Sequence, residues 1–166
     1  MPGLVEVDLK DTIVRFVDGT SPTPNTLELK IDEGTVKFTE KRNLQVKRDR
    51  GKLDYIKEGD EEPLEVSFEA RFSAITSDSG EDVTVHEFLK KQGAASAFKS
   101  TSGDCEADAV DIEVEVHRNC GSVLGELITF EKFTYNSIGG DFKTGQLSIA
   151  GICNVISPVG IRTTLT

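Results

Sequence analysis

The sequence predicts an all-β fold: a two-sheet β-sandwich or flattened barrel, with one short flanking helix and one long projecting hairpin. Three observations carry this. Apolar and polar residues alternate with period two through several segments, turn chemistry punctuates them, and a single short stretch has helical spacing.

Taken in order, residues 13–17 are apolar and β-branched enough for a strand, and the loop Asp18-Gly19-Thr20-Ser21-Pro22-Thr23-Pro24-Asn25 follows. Leu27-Glu28-Leu29-Lys30-Ile31-Asp32 alternates, as does Val36-Lys37-Phe38-Thr39, and Asp32-Glu33-Gly34 between them has the composition of a tight hairpin turn. Alternation resumes in Leu64-Glu65-Val66-Ser67-Phe68-Glu69-Ala70-Arg71-Phe72-Ser73 and is cleanest in Val110-Asp111-Ile112-Glu113-Val114-Glu115-Val116-His117. Segments 127–135 and 146–156 are further strands, with Ile138-Gly139-Gly140-Asp141 as a turn. Each strand buries one face, so the strands must stack as two layers.

The helix spans about 84–92. Asp82 or Thr84 caps it, Gly93 stops it, and Val85, Phe88, Leu89 and Gln92 share one face for covering an edge or open end of the sandwich. Residues 93–108, small and polar, form a loop.

Residues 40–63 are charged, poor in core material and too long for an ordinary connection. Weak alternation (Leu44, Val46; Leu53, Tyr55) around Asp49-Arg50-Gly51 predicts a hairpin that leaves the domain. One arm is basic (Lys41, Arg42, Lys47, Arg48, Arg50, Lys52) and the other mainly acidic (Asp54, Glu58, Asp60, Glu61, Glu62). The two arms either pair with each other or dock on another subunit.

A chain of 166 residues favours one domain spanning 1–166. The net charge of -10 and pI of about 4.7 argue against a tightly held nucleic acid and against an anionic membrane surface, because both need clustered Lys and Arg. Three cysteines make no disulfide framework: the strand between Cys105 and Cys120 holds those two apart unless the flanking loops fold back, and Cys153 across a sheet is the other partner open to either. Met1-Pro2-Gly3-Leu4-Val5-Glu6 lacks a basic region followed by an apolar run, so no export signal is expected, and reduced thiols in a cytosolic place of synthesis are.

The search for catalytic chemistry leads to no constellation. His86 sits near the helix start, and His117 with Cys120 lacks a second pair of ligands at metal-binding spacing. Gly139-Gly140-Asp141-Phe142-Lys143-Thr144 lacks the phosphate-loop spacing and is read as a turn. No enzyme activity, metal or cofactor is expected.

The exposed face of the 110–117 strand is more informative. Asp111, Glu113 and Glu115 point the same way, about 6.7 Å apart. In water each neighbouring pair repels by only about 0.6 kcal/mol, so a solvated face tolerates them. Repeated around a ring, three acids per subunit become a wall that repels polyanions. Glu65 and Glu69 on the 64–73 strand are the second candidates for such a wall, diluted by Arg71.

The β-sandwich, single helix and early charged hairpin together resemble the tail tube proteins of long-tailed bacteriophages. The likeness rests on Glu62-Pro63-Leu64-Glu65-Val66-Ser67-Phe68-Glu69-Ala70-Arg71-Phe72, on Val110-Asp111-Ile112-Glu113-Val114, on Leu127-Ile128-Thr129-Phe130-Glu131-Lys132-Phe133, and on Gly145-Gln146-Leu147-Ser148-Ile149-Ala150-Gly151-Ile152-Cys153-Asn154. It implies hexameric rings stacked into a hollow tube of the virion tail, made in the bacterial host cytoplasm. It also implies tape measure and tail-end proteins as partners, and DNA that passes without specific binding. The fold of such tubes is similar to that of type VI secretion tubes, which leaves a tube subunit of a contractile injection machine as an alternative. A β-sandwich binding module is the other. Against it stand the absence of Trp and the placing of most Phe on core-side positions of the alternation.

Overall fold

The computed structural model describes residues 12–29, 36–71, 75–76, 82–118 and 123–160. Its strands are β1 (Thr12–Val17), β2 (Thr26–Leu29), β3 (Val36–Thr39), β4 (Arg42–Asp49), β5 (Lys52–Glu61), β6 (Leu64–Arg71), β7 (Ile75–Thr76), β8 (Asp82–Val83), β9 (Val110–Arg118), β10 (Val123–Asp141) and β11 (Gln146–Cys153). One helix, α1 (Val85–Lys90), precedes a 3-10 turn at Gly93–Ala95. The fold is all-β, as the alternation predicts.

Seven strands form one antiparallel sheet in the order β2-β1-β9-β10-β11-β6-β3. That sheet folds over on itself. β1 and β6 stand four places apart, roughly 19 Å if the sheet were flat. Yet Phe16 on β1 and Phe68 on β6 meet edge to face with ring centroids 5.5 Å apart. Likewise Phe38 on β3 meets Phe130 on β10 at 5.5 Å. The corner is turned by β10, whose first part pairs β9 and whose last part pairs β11. Register shifts at Phe130/Phe133 and Tyr135/Ser137 bend it, and Lys132 takes a φ of 54° inside the first. Two layers result: β2-β1-β9 with the start of β10, and the end of β10 with β11-β6-β3.

The alternation decides what lies between them. Val14, Phe16, Val66, Phe68, Ile112, Phe130, Phe133, Leu147 and Ile149 are buried in one core. α1 closes over it with Val85, Phe88 and Leu89, the three predicted positions, all buried. Phe88 sits 5.7 Å from the Phe16 ring and 5.3 Å from that of Phe98. Thr84 is the N-cap and forms a full capping box with Glu87.

Several local expectations need correction. The helix ends at Lys90, and Lys91 with a φ of 54° is its C-cap, ahead of the predicted stop at Gly93; Gln92 is exposed. Lys91 is held there by its ammonium, which lies 5.1 Å from the Phe88 ring centroid and donates to the Lys99 carbonyl. The hairpin expected at Asp32-Glu33-Gly34 is not formed between β2 and β3, which occupy opposite ends of the strand order; residues 30–35 themselves lie outside the described residues. Ile138-Gly139-Gly140-Asp141 continues β10, because each residue pairs with β11. The reversal falls later, where Asp141 Oδ1 accepts from the Lys143 N–H and Gly145 supplies a φ of 70°. Phe38 and Phe142 are exposed rather than core-side.

Asp18 is a buried carboxylate, 3% exposed, that the composition did not mark. It accepts from Thr20 N–H and Oγ1, from Asn25 N–H and Nδ2, and from Lys99 N–H, which ties the 18–25 loop to the segment after α1. Burial pushes its carboxyl up, but the Thr20 and Asn25 donors together outweigh burial and hold it below its usual value of 3.8. The folded value is depressed, so Asp18 contributes stability above the unfolded value, and that contribution is lost as pH falls through the folded one. Asp18→Ala should therefore cost about 2–4 kcal/mol at neutral pH in denaturant melts, since it orphans several donors. The gap to the unsubstituted chain should shrink below about pH 4. A gap unchanged at pH 3 would rule out the charged carboxylate as its source.

Candidate functional site

Two surfaces stand out. The first is the hairpin. β4 and β5 form a two-stranded sheet of their own, joined by Arg50 and Gly51 with φ of 47° and 80°. Two successive left-handed residues match the twist of paired strands. Register puts Val46 opposite Ile56, Leu44 opposite Glu58 and Arg48 opposite Leu53. Opposed residues share a face. Leu44, Val46, Leu53 and Ile56 therefore form one apolar face, and they are 49%, 49%, 66% and 56% exposed. Lys47, Tyr55 and Lys57 lie on the other face.

The charges largely keep the expected arm-by-arm division, with Arg42, Lys47 and Arg48 on β4 and Asp54, Glu58, Asp60 and Glu61 on β5. Lys52 begins β5 and Arg50 lies in the turn, so Arg48, Arg50 and Lys52 gather at the tip with Asp49. Glu58, Asp60, Glu61 and Glu62 lie toward the base, with Asp54 between. The basic arm thus runs on into the tip, and the acids of β5 concentrate toward the base, where Lys41 and Arg42 also lie. Among the described residues one ion pair joins the arms, Arg42 with Glu58. Lys41 turns away to Glu65, 2.6 Å distant, a contact that raises its ammonium above the ordinary value.

The base of the hairpin opens on a groove of about 740 Å³. Glu61 and Glu62 stand on one side, Glu106 and Ala107 on the loop before β9, and Ile152 and Val155 at the end of β11 and beyond. Lys132 and Cys153 also line it. Cys153 is fully buried, and burial followed by the charge of Asp111 pushes its thiol up to about 12, so it stays protonated. Cys105 is exposed, and both are free thiols.

The second surface is the outward face of β9. Asp111, Glu113 and Glu115 alternate with buried Val110, Ile112 and Val114, as predicted. The row is not bare, which corrects the picture of a plain solvated face. Arg15 on β1 lies opposite Glu113, its Nε 3.9 Å from that carboxylate, and ion-pairs with Glu115. These side chains are only 28%, 27% and 19% exposed for Arg15, Glu113 and Glu115. Burial pushes the Glu113 carboxyl above its ordinary range; Arg15 opposes this, and Glu115 and Asp111 add to it. Asp111 accepts from the Lys132 N–H at 2.9 Å, which steadies the β10 bend. Sequence spacing does not reveal Arg15, because only strand pairing brings it to β9.

Glu65 and Glu69 alternate with buried Val66, Phe68 and Ala70 on β6, in the opposite layer. The two acid sets thus lie on the outer surfaces of different layers, and one inner wall takes one set or the other. His86 is partly exposed on α1. The side chain of His117, that of Arg71 and all of Cys120 lie outside the described residues. Among the described residues no group of His, Cys, Asp and Glu has metal-binding geometry, and no helix is long and apolar enough to cross a membrane.

The chain matches no family model, no curated protein and no solved structure.

Proposed function

We propose that this chain is a non-catalytic structural subunit that assembles with copies of itself, as hexameric rings stacked into the hollow tail tube of a long-tailed bacteriophage. The observation that carries the reading is the hairpin. A two-stranded ribbon alone in water is marginal, and this one turns four half-exposed or more exposed apolar side chains to solvent on one face. Such a surface marks an interface. The outer edges of β2 and β3, the ends of the seven-stranded sheet, pair with no further strand among the described residues and support the same reading, because open edges invite pairing and a closed ring removes them. Virion location, synthesis in the host cytoplasm, and tape measure and tail-end partners belong to this proposal. Negative-stain microscopy of the purified chain tests it: rings or tubes are expected, and single subunits at high concentration count against it.

In this reading Asp111, Glu113 and Glu115 face the lumen. DNA slides past a like-charged wall because no cation displaces its counterions. Glu113→Lys with Glu115→Lys reverses the wall while leaving Asp111 to hold the β10 bend. The expected result is tubes that retain duplex DNA at low salt and release it as salt rises. Tubes of the variant that retain no DNA at low salt would remove these acids from the wall.

A further inference from the structure

The hairpin carries a basic tip and an apolar face, and the groove at its own base is acidic with an apolar floor. We infer that the tip of one copy docks in the basal groove of another, so that tip and groove are the two halves of one head-to-tail contact. This rests on the self-assembly proposed above and names the surfaces that meet.

The groove holds the carboxylates of Glu61, Glu62 and Glu106 against the single ammonium of Lys132. Arg48, Arg50 and Lys52 face Asp49 as the only acid of the tip. The signs are complementary, and complementary charge confers orientation and association rate. The apolar parts fit as well. Leu53, 66% exposed beside the tip, meets Ile152, Val155 and the 54%-exposed Ile156 of the groove.

A chain cannot fill its own groove in this way. Gly51 in the turn and Glu61 at the end of β5 lie ten residues apart, along a strand paired with β4. At strand rise that is roughly 33 Å. The occupant is therefore a second copy, displaced by about that distance along the hairpin. A contact between two different patches, repeated by translation, does not close, and it propagates as a stack. The groove thus accounts for growth along an axis, whereas the β2 and β3 edges serve closure around it.

Charge reversal tests the pairing in the full-length chain, read by sedimentation velocity and microscopy, with thermal melts as the check on folding. Arg48→Glu/Arg50→Glu reverses the tip, and Glu61→Lys/Glu106→Lys reverses the groove. All four side chains are exposed, so both variants should fold. Each reversal alone should raise the concentration needed for assembly at least tenfold, about 1.4 kcal/mol, because like charges then face one another across the contact. A one-to-one mixture should regain assembly, because acidic tips then meet basic grooves and basic tips meet acidic grooves. The four changes in one chain should regain it too. A groove variant that assembles like the unsubstituted chain, or a mixture without rescue, overturns the docking and leaves the tube proposal standing. Rescued linear chains without rings support the docking and overturn the tube. An unsubstituted chain that stays monomeric at every concentration overturns both.

Discussion

Removing residues 43–60 and bridging the ends with a short Gly-Ser linker is expected to leave a folded chain that no longer polymerises. The hairpin is separable because β4 and β5 pair only with each other, and none of their side chains belongs to the buried core. Its loss leaves the seven-stranded sheet intact. What disappears is the face of Leu44, Val46, Leu53 and Ile56, each about half exposed or more. Covering the remaining exposure of four such side chains contributes about 1 kcal/mol apiece, roughly 4 kcal/mol together. That is about a thousandfold in association constant, before any tip charge is counted. Its single cross-arm ion pair, Arg42 with Glu58, is exposed and worth little on its own. Thermal melting close to that of the full chain, with no rings or tubes in the microscope, is the expected outcome. Normal tubes from the deletion variant would take the hairpin out of assembly.

Phe88→Ala is expected to destabilise the fold by about 3–5 kcal/mol, the cost of emptying a fully buried aromatic site. Phe88 is 0% exposed and packs against the rings of Phe16 and, edge to face, Phe98. It also supports the left-handed Lys91 cap, whose ammonium lies against the ring. Truncation therefore opens a cavity between α1 and the sheet and loosens the end of the helix together. Denaturant melts read the loss. A change under about 1 kcal/mol would mean that the core collapses around the gap or that the helix is docked by Val85 and Leu89 alone.

Both predictions rest on features legible in the sequence. The burial of Phe88 was legible from spacing: Val85, Phe88 and Leu89 fall on one helical face, and all three are buried. The strands at 110–118 and 64–71 were legible in the same way, since Val110, Ile112 and Val114, and Val66, Phe68 and Ala70, alternate with polar neighbours and are buried in turn. So was the hairpin, because residues 42–61 offer no face apolar enough for a core and a turn with Gly51 at its centre.

The turn at residues 138–141 shows where local reading ends. Gly139 and Gly140 carry turn chemistry, yet they pair with Ser148 and Leu147, and the chain reverses only after Asp141. Ladder pairing across β11 outweighed local propensity. The ion pair of Arg15 with Glu115 and the Asp18 contact with Lys99 were equally hidden, since they join residues about a hundred and about eighty positions apart.

By itself the sequence determined the class of fold, the buried face of each main strand, the helix with its packing face, and the existence of a charged, core-poor hairpin. These follow from periodicity, which acts between near neighbours. Only the tertiary structure decided that β2 and β3 stand at opposite ends of the sheet, and that β10 bends through Lys132 to join two layers. It also placed the acids of β9 and β6 on different surfaces, and gathered Arg48, Arg50 and Lys52 at the hairpin's tip. Strand order and register are settled by competition among all edges of the chain, and a bulge of one residue shifts what faces what. No local pattern contains that competition, so which charges become neighbours is known only once the sheet has closed over its core.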